Sequence, residues 1–194
     1  MSLEEIKQII CDREFTEEEK KLIEKERKKK PILSTLNDNI NILYYLDKDY
    51  NNIYKDDKYR LLAVGEYRKR KFIIAYPGHH PCAYIKSNID YYNLYQDGKI
   101  YDIPAHGGIT FYNCISTDYY ENITKDIIEL IKGKFFGWDY GHIDDYEQYY
   151  ETEFFKELSK NKVKHNIVEI IRNVNNTIDW LIEYEKQHHI NSNN

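Results

Sequence analysis

The chain is poor in the residues that staple, kink or anchor a protein: of 194 residues, three are cysteine, four proline, eight glycine and one methionine. Cys11, Cys82 and Cys114 are odd in number and none has CxxC spacing. That argues against a disulfide framework or a thiolate zinc site and is the pattern of a reducing cytoplasm. No run of about 18 apolar residues exists, and "MSLEEIKQII" lacks a basic region followed by an apolar one, so neither a membrane span nor an export signal is expected. Positive charge is not in excess either. With 28 basic and 33 acidic residues the net charge is −5, which disfavours general nucleic-acid binding or adhesion to anionic lipid. The one dense basic run, "EKERKKK" (Glu24 to Lys30), follows "EEEK" and reads as a solvated helix with compensating charges. Several catalytic spellings are missing too: no G-x-S-x-G elbow, no P-loop, no G-x-G-x-x-G and no H-E-x-x-H. Gly133, Gly137 and Gly141 repeat at four-residue steps, but among charged and aromatic residues rather than in an apolar helix.

What is present suits one globular domain. Apolar residues make up 41% and charged residues 31%, and the length is sufficient to bury a core without staples. The 20 tyrosines accompany abundant Asn, Ile and Lys, the bias of an AT-rich genome, so they are not read as a stacking surface. The N-terminal segment predicts helices in "SLEEIKQIICD" and "FTEEEKKLIEKERKKK", the second with capping-box spacing at Thr16 and Glu19 and a stop at Pro31. Residues 1–58 are therefore expected to be a helical extension, part of the domain or appended to it. "INILYYL", within them, shows no clear period.

From Tyr59, "YRLLAVGEYRKRKFIIAYPG" predicts a β-hairpin, and "CAYIK", "ITFYNCI" and "KFFGWDY" predict further strands. In "NIVEIIRNVNNTIDWLIEYEKQ", Ile167, Ile171, Val174, Ile178 and Leu181 recur at steps of four and three, one face of a helix. The expected fold is α+β: a small, mainly antiparallel sheet with an N-terminal helical segment and a C-terminal amphipathic helix. Its core domain is 59–187 and its polar tail 188–194.

Three segments join histidine to glycine or proline at strand edges: "YPGHHPCAYIK", "IPAHGGITFYN" and "FFGWDYGHIDDY". Loops held by a rigid sheet are where functional groups concentrate. His106 followed by Gly107 and Gly108 could set an imidazole beside two open backbone N–H groups, a cradle for a phosphate or carboxylate oxygen. Asp139, His142 and Asp145 stand three apart and would share a helix face, where one carboxylate orients the imidazole and the other serves a metal or a substrate hydroxyl. Of the adjacent pair, His79 rather than His80 is expected to face the site, since neighbours in an extended segment point to opposite sides. Cys82 and Cys114 are expected to be small buried apolar residues rather than nucleophiles, and His165, His188 and His189 solvated surface.

The order "GHHPCAYI", "HGGITF", "GWDYGHIDD" resembles a family of uncharacterised phage and bacterial proteins carrying GH-x-C-x-Y-V, HGGITYS-like and GFDxAHxGD-like segments before a C-terminal helix. Gly78, His79, Cys82, Tyr84, His106, Gly107, Gly108, Thr110, Gly137, Asp139, His142 and Asp145 fall on its pattern. His80 and Pro81 insert an extra residue before Cys82, Trp138 replaces Phe, and Asp144 replaces Gly. The resemblance implies site positions and a phage-like setting, not a reaction. Together with the residue chemistry it nominates His106, Asp139, His142 and Asp145 as catalytic, and His79, Tyr84, Gly107, Gly108, Thr110 and Trp138 as ligand-binding.

These residues suit a small hydrolase, specifically a phosphodiesterase acting on a nucleotide-type ligand. The alternative is a non-catalytic protein that sequesters a small phosphorylated signalling ligand in phage counter-defence. A third class is an interaction module using "DDYEQYYETEFF". The residue types admit a divalent metal without identifying one.

Overall fold

The apolar runs after Tyr59 are nearly continuous rather than alternating, which is the pattern of strands covered on both faces. The computed structural model describes residues 42–50, 52–56, 58–87, 89–118, 120, 123–146 and 162–188. The helices expected before residue 42, His189, the tail beyond it and residues 147–155 of the Tyr-rich stretch lie outside the described residues. Six antiparallel strands form one sheet in the order β1-β2-β3-β4-β6-β5. They are β1 Ile42–Leu46, β2 Tyr59–Tyr67, β3 Arg70–Pro77, β4 Cys82–Lys86, β5 Phe111–Cys114 and β6 Lys134–Asp139. The helices are α1 Tyr91–Gln96, α2 Lys125–Leu130 and α3 Ile167–Gln187, with a 3-10 turn at Lys99–Asp102. The fold is α+β, and among the described residues no helix is long and apolar enough to cross a membrane.

Each face of the sheet has its own core. On one, Leu62, Phe72, Ile74, Ala83, Phe136 and Trp138 pack with Ile170, Val174, Ile178 and Leu181 of α3. On the other, Leu61, Val64, Ile73 and Phe135 meet Ile127 and Ile131, from α2 and the residue after it. The α3 face is the larger. A capping box starts that helix: the Asn166 side chain accepts from the N–H groups of Val168 and Glu169, and the Glu169 carboxylate accepts from the Asn166 N–H. A buried Arg70–Glu185 ion pair ties its far end to β3.

The β2–β3 turn has Arg68 and Lys69 at φ 48° and 64°, values that a two-residue hairpin requires and that Asn-Gly would supply more cheaply. Arg68 Nη1 donates to Asp179 Oδ1 at 2.6 Å, anchoring the turn to α3.

Of the two placements left open for residues before Tyr59, part of the domain or appended to it, β1 takes the first. β1 pairs along β2, from Ile42 opposite Glu66 to Leu46 opposite Ala63, and Leu46, Tyr50 and Ile53 are buried in the larger core. Residues 42–50, 52–56 and 58 thus belong to the sheet domain. "INILYYL" shows no period because four of the five β1 residues are half-buried whichever way they point.

Candidate functional site

Strand geometry decides which residues of "KFFGWDYGHIDDY" meet. Side chains alternate along β6, so Phe136 and Trp138 face the α3 side while Phe135, Gly137 and Asp139 face the other. The alternation continues one step past the strand because the Tyr140 N–H donates to Pro81 O at 3.0 Å, and Tyr140 joins the α3-side core. The chain then turns over residues 142–145, with the Asp145 N–H donating to His142 O at 2.9 Å. It next pairs with the segment before α3: the Tyr146 N–H donates to Val163 O and the Val163 N–H to Asp144 O, each at 2.8 Å. That pairing delivers His165 to Asp145.

Three imidazoles converge on this one carboxylate. His106 Nε2 lies 2.7 Å from Asp145 Oδ2, His142 Nδ1 lies 3.1 Å from the same oxygen, and His165 Nε2 lies 2.8 Å from Oδ1. The His142 backbone N–H also donates to Oδ2 at 3.0 Å. An ionised carboxylate only accepts, so each bonding nitrogen carries the proton, which fixes the tautomers. Asp145 is 3% exposed. Burial pushes its carboxyl upward, but hydrogen bonds from His106, His165 and His142 more than offset this and hold it below the usual carboxylate range. The side chains of His106 and His142 are 31% and 35% exposed, and that of His165 14%, so the cluster opens to solvent on the His106–His142 side.

A second layer holds the first. The His106 ring stacks on Tyr140, centroids 4.6 Å apart and planes 12° from parallel. The Tyr140 hydroxyl accepts from Trp138 Nε1 at 3.3 Å and donates to Asn173 Oδ1 at 3.1 Å. The same Asn173 oxygen accepts from the His106 backbone N–H at 3.2 Å, and Asn173 Nδ2 and Thr177 Oγ1 both donate to Pro104 O at 3.0 Å. Helix α3 thereby clamps the loop that carries His106.

Of the residues nominated from sequence, His106, His142 and Asp145 come together, and Asp139 does not join them. Its carboxylate accepts from Thr110 Oγ1 at 3.0 Å and from the Gly141 N–H at 3.1 Å. The expected helical face is replaced by a strand followed by a turn, and the two-residue period of the strand sends Asp139 to the opposite side from Tyr140. Tyr84 shares that opposite side, lying across Gly137 and edge-on to Phe111 at 5.2 Å. Trp138, expected to touch ligand, is 1% exposed and belongs to the core. Half-buried His79 lies between β3 and β4, and it is His80 whose ring lies against Gly141, Cδ2 falling 2.8 Å from where a Cβ would be.

The glycines also differ from the cradle expectation. The Gly108 N–H is used within its own turn, donating to Ala105 O at 3.0 Å. Gly107, at φ 66°, is needed for space: a Cβ there would fall 1.8 Å from His142 Nε2. Thr110 donates its backbone N–H to Gly137 O, which starts the β5–β6 pairing. Burial pushes the Cys82 thiol up to about 12, as suits a small apolar residue. Cys114 is exposed, contrary to the buried setting expected for it.

Three participants escape the sequence reading: His165, Tyr140 and Asn173. His165 was expected on a solvated surface. The capping box in "NIVE" is the signal that bears on it, because it starts the helix after Asn166 and leaves His165 outside. Tyr140 and Asn173 give no comparable signal. Among the described residues, His106, Asp145 and His165 form the one group whose ligand atoms could share a metal ion, all lying within 4.8 Å of one another. No protein-family model, curated protein or solved structure matches the chain.

Proposed function

We propose that the protein hydrolyses a phosphodiester bond in a small nucleotide-type substrate at the His106–His142–His165–Asp145 cluster. The observation that supports this is the convergence of three imidazoles, from three separate segments, on one buried carboxylate. Imidazole is the side chain that exchanges protons near neutral pH, and a carboxylate behind it sets its orientation and steadies its charged form. Of the three, His106 and His142 are the more exposed. One accepts the proton of a water attacking phosphorus, and the other donates a proton to the ester oxygen as its P–O bond breaks. An opening lined by imidazoles favours an anionic substrate. The motif segments that resemble phage and bacterial proteins carry His106, His142 and Asp145, and on that basis we read the same residues as functional.

The test is a panel of linear and cyclic nucleotides and an aryl phosphodiester, incubated with wild type, His106→Ala and His142→Ala. The expected result is a phosphomonoester product, with turnover lowered about 100-fold or more in each variant, the usual size of a lost acid–base contribution. Circular dichroism should show both variants folded. A panel member recovered intact from denatured protein would identify a sequestering protein instead, and neither turnover nor capture would remove the reading.

A further inference from the structure

We infer that His106 Nε2, His165 Nε2 and the Asp145 carboxylate form a binding site for a divalent first-row transition-metal ion, zinc in the first instance. Asp145 is crowded by an excess of donors. Asp145 Oδ2 faces three N–H groups, from the His106 ring, the His142 ring and the His142 backbone, whereas one carboxylate oxygen offers about two lone-pair sites. The protonated tautomers that this crowding demands compete with one another. A cation among these groups reverses the demand: His106 and His165 present lone pairs to the ion, and the carboxylate shares its charge with it.

Two imidazoles and a carboxylate are a donor set that suits zinc and its first-row neighbours, and it leaves a coordination position for water or substrate. The dimensions also fit. With metal–ligand bonds of about 2.0–2.2 Å, tetrahedral ligand atoms stand roughly 3.4 Å apart. His106 Nε2 and His165 Nε2 each lie against a different oxygen of the carboxylate, at 2.7 and 2.8 Å, and one ligand atom from each of the three residues lies within 4.8 Å of the others, a spread that side-chain rotations would bring to that value. The ligands come from three segments already clamped in place. His106 is stacked on Tyr140 and bonded through its N–H to Asn173. His165 directly precedes the capped start of α3. Asp145 is locked by the Val163 pairing on either side of it. Such fixed surroundings preorganise a metal site.

His142 remains outside the trio, over Gly107 on the solvent side, where it can still move protons. Bound metal would supply a Lewis acid for a phosphoryl oxygen and acidify a bound water; this rests on the proposed function and reassigns His106 within it from proton carrier to ligand, leaving proton transfer to His142, although the site itself stands without it. Zinc binding without turnover would leave the site intact and count against the hydrolase. Turnover by metal-free protein, with no zinc uptake, would do the reverse.

The full chain, stripped with chelator, should take up one equivalent of zinc by calorimetry and elemental analysis. His106→Ala, His165→Ala and Asp145→Asn should each weaken binding by more than about 100-fold, beyond the effect of losing an outer partner, and His188→Ala should not. No uptake by wild type, or undiminished affinity in folded ligand variants, overturns the site. Should those variants fail to fold, cobalt(II)-loaded wild type decides: visible d–d bands without a thiolate charge-transfer band are expected. A thiolate band would assign the metal to cysteine and overturn the trio.

Discussion

Asp145 concentrates the chemistry of the molecule in one residue. It is nearly sealed from water yet ionised, because imidazole N–H groups reach both of its oxygens. Its folded carboxyl titrates below its unfolded value, so the stability it contributes is fully present above about pH 4 and is lost as pH falls through the folded value. Asp145→Asn keeps the shape and removes the charge. It should lower unfolding free energy near neutral pH by about 1.5–3 kcal/mol, the range for hydrogen bonds to a charged group. Denaturant titrations of both proteins should converge as the wild-type carboxyl protonates below pH 4. A gap unchanged between pH 7 and pH 3 would mean that the charge contributes nothing.

At the scale of the element, the turn from Ala105 to Gly108 shows how two neighbouring glycines serve different ends. Both have positive φ, 66° and 92°, and either substitution by alanine strains the backbone, by about 1–2 kcal/mol for a left-handed residue. Space separates them. At Gly107 the added methyl meets the His142 ring, whereas at Gly108 it meets nothing within 4 Å. Gly107→Ala should therefore displace His142, visible as shifted imidazole resonances and reduced turnover, in addition to a lowered unfolding midpoint. Gly108→Ala should lower the midpoint while leaving the His142 resonances in place. Equal spectral changes in the two variants would contradict the assigned packing.

At the scale of the whole molecule, β1 closes the larger core. A chain beginning at Tyr59 would lose Leu46, Tyr50 and Ile53 from that core. Burying a large apolar side chain contributes about 1.5–3 kcal/mol, so the combined loss is comparable with the roughly 5–15 kcal/mol that keeps a domain folded. Such a truncation should be unfolded or aggregated by circular dichroism and size-exclusion chromatography. A cooperative transition at the full-length midpoint would instead make the first 58 residues a true appendage.

The α+β class, the β2–β3 hairpin and the apolar face of α3 were legible in the sequence because each depends on local rules. Those rules are the period of the side chains, the residues that tolerate a turn and the cap that starts a helix. His106, His142 and Asp145 were nominated together from residue type and from the motif resemblance, since spacing links His142 to Asp145 but says nothing of His106. Yet the helical face assumed for Asp139 was wrong in period, since β6 runs through Asp139 before the turn begins. His165 was out of reach for another reason. It stands 20 residues from Asp145 and meets it because Val163 pairs with the chain on either side of Asp145. Local chemistry thus determined which side chains could do proton or metal chemistry. Tertiary hydrogen bonding decided which of them share a carboxylate, because only the assembled sheet with α3 packed on it brings three distant segments to one point.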